Sequence, residues 1–190
     1  MKENKARLYV ITGPSGVGKG TVLNKFFEHN KDNIIYSISA TTRAPRPQEK
    51  DGVNYFFITK EEFEREIENG DFLEWAKYSD NYYGTKKSFV LKCLNEGKSV
   101  VLEIEAQGAK KVMEKYPECV SIFITPPDLD ELEKRLRGRK TETEDAIQKR
   151  LEAVKRELEE SKNYKYLIVN DKVDEAFNQL QQIYEKESAL

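Results

Sequence analysis

The chain of 190 residues is long enough for one hydrophobic core that carries one or two inserts. Its 32 basic and 34 acidic side chains leave a formal net charge of −2, so charge gives no reason to expect binding to nucleic acid or to an anionic membrane. Two isolated cysteines and one histidine argue against zinc and against a disulfide framework. No run approaches the roughly 18 apolar residues that span a bilayer, and we expect a cytoplasmic protein.

A strand, a glycine-rich loop and a helix are predicted near the start of the chain. Residues 8–11 form an apolar run, and the apolar residues between 22 and 27 recur with helical spacing. The intervening pattern Gly-x-x-x-x-Gly-Lys lets backbone N–H groups surround an anion at a helix N-terminus, where Lys19 can reach outer phosphates. An ordinary glycine-rich turn is the alternative. The predicted phosphate-binding loop consists of Gly13, Pro14, Ser15, Gly16, Val17, Gly18, Lys19, Gly20 and Thr21.

A second anion site is predicted just after the strand at 34–38. Residues 39–47 contain two prolines, which predict an irregular loop. Arg43 and Arg46 lie three residues apart in it, and arginine forms paired hydrogen bonds with phosphate or carboxylate groups. A solvated proline-rich loop is the alternative.

The segment from about 39 to 90 is rich in aromatic residues and does not alternate strands with helices. A strand at 54–58 is predicted, then a helix that begins at the capping box Thr59–Glu62 and ends at Gly70. Strands at 72–78 and 81–85, joined by a turn at 79–80, follow. This pattern indicates a small mixed sheet inserted into an α/β core.

Alternation resumes after residue 98, with strands predicted at 99–105, 119–124 and 166–171. Helices are predicted at 107–116, after a cap at Asp128, around 147–158 and at 173–183. Residues 135–142 contain four cations, which in isolation would most often form a solvated helix face. The whole pattern predicts an α/β fold with a parallel sheet flanked by helices and interrupted by two inserts.

These parts suit phosphoryl transfer. The reaction requires a loop for one nucleotide, a separate site for a second anion and cations that neutralise the transferred group. A general base is unnecessary when the acceptor is already a phosphate oxygen.

From about Leu8 to Asp171 the sequence resembles guanylate kinase, which phosphorylates GMP from ATP. Seven segments occur in the order typical of that family, which makes the resemblance far more specific than the loop alone. They are Gly-Pro-Ser-Gly-Val-Gly-Lys, Ser-Ala-Thr-Thr-Arg-Ala-Pro-Arg, Phe-Leu-Glu-Trp-Ala, Asn-Tyr-Tyr-Gly-Thr, Leu-Glu-Ile-Glu-Ala-Gln-Gly, Arg-Leu-Arg-Gly-Arg-Lys-Thr-Glu-Thr-Glu and Ile-Val-Asn-Asp.

The resemblance implies one guanylate kinase-like domain over residues 1–190 with a P-loop NTPase-type core. The core would comprise about 1–38, 91–125 and 160–190, the GMP-binding insert about 39–90 and a helical lid about 126–159.

The resemblance also implies how the insert holds GMP. A carboxylate such as Glu74 can accept from N1–H and N2–H₂ of guanine together, whereas adenine presents a lone pair at N1. Without the flanking segments, Glu74 would as readily be a strand residue that faces solvent. The implied phosphate ligands are Arg43, Arg46, Tyr55 and Tyr83, and the implied residues on the guanine side are Ser39, Glu74, Thr85, Glu103 and Glu105.

On the donor side, the resemblance implies that ATP binds with Mg²⁺ at the phosphate-binding loop. Arg135, Arg139 and Arg150 would belong to a lid that closes over ATP, and Asn170 would lie near the adenine. The implied catalytic residues are Lys19, Arg43, Arg135 and Arg150.

Four positions depart from the usual family pattern. Gly20 stands where a hydroxyl residue is common, so Thr21 or water would serve as the Mg²⁺ ligand. Glu105, Thr85 and Lys140 stand where aspartate, serine and glycine are common, and we expect these changes to be tolerated.

Two other functions compete with this interpretation. Gly-Lys-Gly-Thr also occurs in adenylate kinases, but Glu74 and the loop at 39–46 argue against another nucleoside monophosphate kinase. A catalytically inactive guanylate-kinase-like interaction module typically has a damaged loop and lid, whereas here the cations of both are present. We therefore expect ATP as donor, GMP and also dGMP as acceptors, and neither nucleic acid nor membrane as a partner.

Overall fold

The computed structural model describes residues 5–78, 80–138 and 144–189. The strands are β1 (Leu8–Thr12), β2 (Ile34–Tyr36), β3 (Ala40–Thr41), β4 (Phe56–Phe57), β5 (Phe72–Tyr78), β6 (Asn81–Lys86), β7 (Ser99–Glu103), β8 (Val120–Thr125) and β9 (Tyr166–Val169). The helices are α1 (Lys19–Asn30), α2 (Lys60–Glu68), α3 (Lys87–Asn95), α4 (Ala106–Lys115), α5 (Leu129–Gly138), α6 (Glu144–Glu160) and α7 (Val173–Ser188), and a 3-10 turn occupies Ser161–Asn163.

The described residues group into two compact units. The first contains Ile11–Asp32 and the chain from Val120 onward, and the second contains Ala6–Val10 and Asn33–Cys119. The predicted division into core, GMP-binding insert and lid stays a prediction.

A five-stranded sheet has the order β2-β7-β1-β8-β9. The pairs β2–β7 and β8–β9 are parallel, with Ile34 opposite Ser99 and Ile124 opposite Ile168. All side chains of β1 and β8 are buried, as expected for central strands covered by helices on both faces. The predicted α/β class with a parallel sheet and flanking helices is confirmed.

A second sheet of order β4-β3-β6-β5 lies within the second unit. It is mixed, because β3 pairs with β4 in parallel and with β6 antiparallel, and β5–β6 is an antiparallel hairpin. Ala40, Phe63 and Phe72 form its buried cluster. Helix α2 begins at the predicted cap, since the Thr59 side chain accepts a hydrogen bond from the Glu62 N–H at 3.1 Å.

The strands predicted at 34–38, 54–58 and 166–171 are each shorter than predicted, and three further predictions are corrected. Residues 40–41, predicted as irregular, form β3, because Pro45 and Pro47 lie beyond the residues that pair. Helix α3 was not predicted; it begins at Lys87, and its N-cap residue Lys86 forms no side-chain capping hydrogen bond that would signal it. Strand β7 ends at Glu103, two residues early, because Glu105 is already the N-cap residue of α4.

Helices α5 and α6 share an apolar cluster of Leu132, Leu136, Ile147, Leu151 and Val154. The predicted cap of α5 is present, with the Glu131 N–H donating to Asp128 Oδ1 at 2.6 Å. Half of the predicted cationic segment at 135–142, including Arg139 and Lys140, lies outside the described residues. Among the helices that are described, none is both long and apolar enough to cross a membrane.

Candidate active site

The phosphate-binding loop of the first unit connects β1 to α1 and depends on two close backbone approaches. A Cβ atom at Gly13 would lie 2.1 Å from the Ile124 carbonyl oxygen, a distance that backbone atoms cannot accommodate. Gly18 has φ +86°, and a Cβ atom there would lie 2.8 Å from Asn170 Nδ2. These two glycines therefore fix the path of the loop.

Lys19 is the first residue of α1 and also belongs to the phosphate-binding loop 13–21. Its ammonium donates to the Gly13 carbonyl oxygen at 2.9 Å, so the side chain folds over the loop from the helix N-terminus. Backbone N–H groups and an ammonium at a helix N-terminus make this an anion-binding arrangement.

Asn170 supports the loop from the buried side. Asn170 is only 2% exposed. Its backbone N–H donates to the Thr125 carbonyl at 2.8 Å, and its side-chain Nδ2 donates to the Val17 carbonyl at 2.7 Å. The sequence predicted a position near adenine, and no observation tests that role. The contact with Val17 was not predicted, because the two residues are 153 positions apart.

The predicted lid residues are described unequally. Arg150 of α6 donates from Nη1 to Ser15 Oγ at 2.9 Å, which brings this cation onto the loop. Arg135 lies in α5, but only its backbone is described, and Arg139 lies outside the described residues. Thr21 is exposed in the first turn of α1, and Gly20 faces space with no heavy atom within 4 Å of a Cβ position.

The predicted phosphate ligands of the second unit are partly brought together. The guanidinium of Arg43 lies 5.4 Å from the centre of the Tyr55 ring, and the rings of Tyr55 and Tyr83 are in edge contact at 6.2 Å. Arg46 follows in the same loop with an exposed side chain. Sequence reasoning missed Glu49, whose carboxylate pairs with Arg43 at 2.8 Å and raises the pKa of that guanidinium.

Glu74 is a buried carboxylate, 7% exposed, rather than a solvent-facing strand residue. It lies opposite Thr85 in the β5–β6 hairpin, and the Thr85 hydroxyl donates to Glu74 Oε1 at 2.8 Å. A Cβ atom at Gly108 of α4 would lie 2.8 Å from Glu74 Oε2, so the carboxylate lies directly against that helix. Burial raises the pKa of Glu74, and the Thr85 hydrogen bond and the Lys111 charge partly oppose the rise.

The other residues predicted on the guanine side are Ser39, Glu103 and Glu105, and each lies in a different element or loop. Ser39 is half-buried just before β3, and Glu105 is exposed at the start of α4. Glu103 ends β7 and accepts a hydrogen bond from the Tyr36 hydroxyl at 3.2 Å. Gly108 ends one of the seven family segments and Tyr36 lies in a predicted strand, but no sequence pattern assigned either residue to the site.

A buried strand, a glycine loop and a helix in an α/β sheet define a P-loop protein that binds nucleotide phosphates. The family model for guanylate kinase matches residues 5–187 of this chain. The chain belongs to the guanylate kinase family.

Individual relatives agree over nearly the whole length. The guanylate kinase of Caldanaerobacter subterraneus is 54% identical over 176 residues, which cover 93% of this chain and 85% of that protein. That of Halalkalibacterium halodurans is 50% identical over 183 residues, covering 96% and 89%. The crystal structure of guanylate kinase from Anaplasma phagocytophilum matches with a TM-score of 0.76 at 34% identity, covering 100% of this chain and 90% of that one.

The resemblance predicted from the sequence is thereby confirmed. Guanylate kinases are ATP-using kinases that generally need a divalent metal ion.

Proposed function

We propose that this chain transfers the γ-phosphoryl group of ATP to a phosphate oxygen of GMP, giving ADP and GDP, and that dGMP is a second acceptor. The observation that carries the choice of acceptor is the buried Glu74 carboxylate bound by the Thr85 hydroxyl. Its remaining acceptor capacity suits the adjacent N1–H and N2–H₂ donors of guanine. Adenine would present the lone pair of N1 at the same place, which would repel the carboxylate.

On the donor side, we assign the triphosphate to the loop 13–21. The N–H groups of the loop and the α1 N-terminus would hold the phosphates, and Lys19 would exchange its bond with the Gly13 carbonyl for one with the outer phosphates. The contact between Arg150 and Ser15 supports a role for Arg150 at the transferred group. Arg135 and Arg139 are assigned to the same lid, and Asn170 to the adenine side, from the family resemblance alone.

On the acceptor side, we assign the GMP phosphate to Arg43, Arg46, Tyr55 and Tyr83. Guanidinium and phenol donors suit a phosphate dianion, and the contact of Arg43 with the Tyr55 ring supports the grouping. Since the attacking atom is already an anionic oxygen, these groups position the acceptor in line and screen its charge without removing a proton. Ser39, Glu103 and Glu105 are assigned to the guanine side.

The residues of the loop fit Mg²⁺ that arrives with the nucleotide. Over the described ranges, no three His, Cys, Asp or Glu side chains group in a way that could hold a metal by themselves. Mg²⁺ favours oxygen ligands, keeps several waters and is commonly held by substrate phosphates, so the Thr21 hydroxyl is a sufficient protein donor, directly or through water. When bound, Mg²⁺ would neutralise charge on the phosphate oxygens.

An inactive interaction module and a different monophosphate kinase are disfavoured. The first would not require the intact loop with Lys19 and Arg150, and the second would not require a buried carboxylate at Glu74.

A coupled assay for ADP formation with ATP and each of GMP, dGMP, AMP, CMP and UMP tests this function. We expect turnover with GMP and with dGMP and only trace activity with the other three. Absence of turnover with all five would favour the inactive module, and a preference for AMP would overturn the assignment of Glu74.

A further inference from the structure

The Glu49 carboxylate accepts three hydrogen bonds within the arginine loop, the segment 43–49 of the second unit. Its Oε1 accepts from Arg43 Nη2 at 2.8 Å, and its Oε2 accepts from Arg43 Nη1 at 3.0 Å. The same Oε2 accepts from the Arg46 backbone N–H at 2.7 Å. One carboxylate thus binds the side chain of the first arginine and the backbone of the second.

The loop has little other regular structure to hold it. Pro45 and Pro47 remove two backbone donors from the segment, and the turn closes through the Glu49 N–H, which donates to the Arg46 carbonyl at 2.9 Å. The carboxylate therefore ties together residues 43–49, a stretch that the sequence alone presents as a flexible proline-rich loop.

The guanidinium of Arg43 has other hydrogen-bond and aromatic contacts besides Glu49. Its Nη1 also donates to the Ala44 carbonyl at 2.7 Å, and the rings of Tyr55 and Phe57 lie 5.4 and 5.9 Å from its central carbon. The Arg43 and Glu49 side chains are 19% and 17% exposed, so the pair is shielded from most of the solvent. A bidentate pair of this kind sets the plane of the guanidinium as well as its location.

We propose that Glu49 is a positioning residue for the acceptor phosphate, which it serves by orienting Arg43 and by fixing the backbone at Arg46. This inference rests on the proposed function, because it takes the two arginines as phosphate ligands. Glu49 itself would not touch the substrate.

The Glu49 carboxylate could either position the arginines for phosphate or compete with phosphate for them, and the net charge of the loop distinguishes the two. Hydrogen bonds from Arg43 and from the Arg46 backbone lower the pKa of Glu49, so it is ionised at neutral pH. Two arginine charges against one carboxylate leave the loop with a net positive charge, which still attracts a phosphate dianion. The carboxylate therefore costs part of the attraction and gives a defined geometry in return.

The test is Glu49→Gln, which keeps the size of the side chain but replaces one acceptor oxygen with an NH₂ group that faces other donors. Steady-state kinetics and calorimetric titration with GMP should show KM and Kd for GMP raised about tenfold, with KM for ATP unchanged. Glu66→Gln is the matched control, because Glu66 is also 17% exposed and pairs with Lys86 at 2.7 Å, away from both arginines. It should leave both constants unchanged.

A double-mutant cycle with Arg43→Ala separates positioning from a general loss of structure. If Glu49 acts mainly through Arg43, Glu49→Gln should change KM for GMP by less than about twofold in the Arg43→Ala background. Two results would overturn the inference: an unchanged or lower KM for GMP in Glu49→Gln, or an equal effect of Glu49→Gln in both backgrounds. In either case, turnover of GMP by the wild-type protein would still support the proposed function. A wild-type protein that neither binds nor phosphorylates GMP would overturn both.

Discussion

The phosphate-binding loop and the arginine loop are both assigned to phosphate, but they are built from different groups. The first would bind through backbone N–H groups whose positions are set by buried contacts, such as Gly13 against Ile124 and Asn170 against Val17. The second would bind through side chains whose positions are set by other side chains, above all Arg43 by Glu49.

This difference predicts different responses to mutation. A backbone site should weaken when a buried support is removed, even if that support never touches the nucleotide. A side-chain site should tolerate changes around it and fail when a charged partner is lost. Variants with matched controls distinguish these two responses.

The largest effect is expected for Lys19→Ala. It removes the loop ammonium that would stabilise charge on the transferred group, so kcat should fall by about 100- to 1,000-fold, on the scale of one lost electrostatic donor. Thermal unfolding should be little changed, since the side chain is not part of the core. Lys25→Ala removes the same charge from the side of α1 that contacts Asp174 of α7, so it should retain near wild-type kcat. Near-normal turnover in Lys19→Ala would refute the donor site.

Asn170→Ala should affect both folding and ATP. It leaves the buried Val17 carbonyl without this donor at a cost of about 1–3 kcal/mol, which corresponds to a fall in Tm of roughly 2–12 °C for a chain of this size. KM for ATP should rise severalfold, because the loop loses its support.

Asn30→Ala is the control for that variant. The buried Asn30 donates from Nδ2 to the Phe26 carbonyl at 2.9 Å and to Gln181 Oε1 at 2.8 Å, so this variant also loses buried hydrogen bonds, at the opposite end of α1 from the loop. Differential scanning calorimetry should give a similar fall in Tm, while KM for ATP stays constant. Equal effects on KM in the two variants would show that Asn170 acts only through global stability.

Local sequence patterns predicted the local parts of this molecule well. The cap at Thr59, the cap at Asp128 and the apolar stripe of α6 follow from a few neighbouring residues, and the structure contains all three. The phosphate-binding loop was predictable for the same reason, since one motif between a strand and a helix specifies it.

The supporting contacts were not predictable, because they join residues that are distant in sequence. Asn170 and Val17, or Gly108 and Glu74, meet only once the sheets and helices are arranged. Glu49 is six residues from Arg43, but a glutamate after two prolines has no pattern that separates it from a solvated one. The roles of Glu74 and its neighbours came from the family resemblance, and they stay predictions.

Gly108→Ala should have a moderate effect confined to GMP. The added methyl group would meet the end of the flexible Glu74 side chain, so the carboxylate should shift and the fold should persist. We expect KM for GMP to rise about three- to tenfold, as for partial loss of a charged hydrogen bond, with KM for ATP unchanged. Lys110→Ala on the exposed face of the same helix should change neither constant, and an equal response of both variants would exclude a specific contact.

The smallest expected effect is a shift in pH dependence. Burial raises the pKa of Glu74, so the neutral acid forms at a higher pH than in an ordinary glutamate, and a neutral acid cannot accept from both guanine donors. KM for GMP should therefore rise as pH falls, beginning above the usual range of glutamate titration. Titration of the GMP phosphate contributes to the pH dependence of KM in every variant. The part of that pH dependence that is lost in Glu74→Gln is therefore due to Glu74.

The selectivity of Glu74→Gln tests the central claim most directly. The amide keeps the shape but presents a donor to guanine N1–H or N2–H₂, so kcat/KM for GMP should fall by roughly ten- to several-hundred-fold while that for AMP holds or rises slightly. Because burial disfavours the ionised carboxylate, Tm at neutral pH should not fall. The measured quantity is the ratio of kcat/KM for GMP to that for AMP. A collapse of this ratio in a folded variant is the predicted result, and an unchanged ratio would show that guanine is recognised elsewhere.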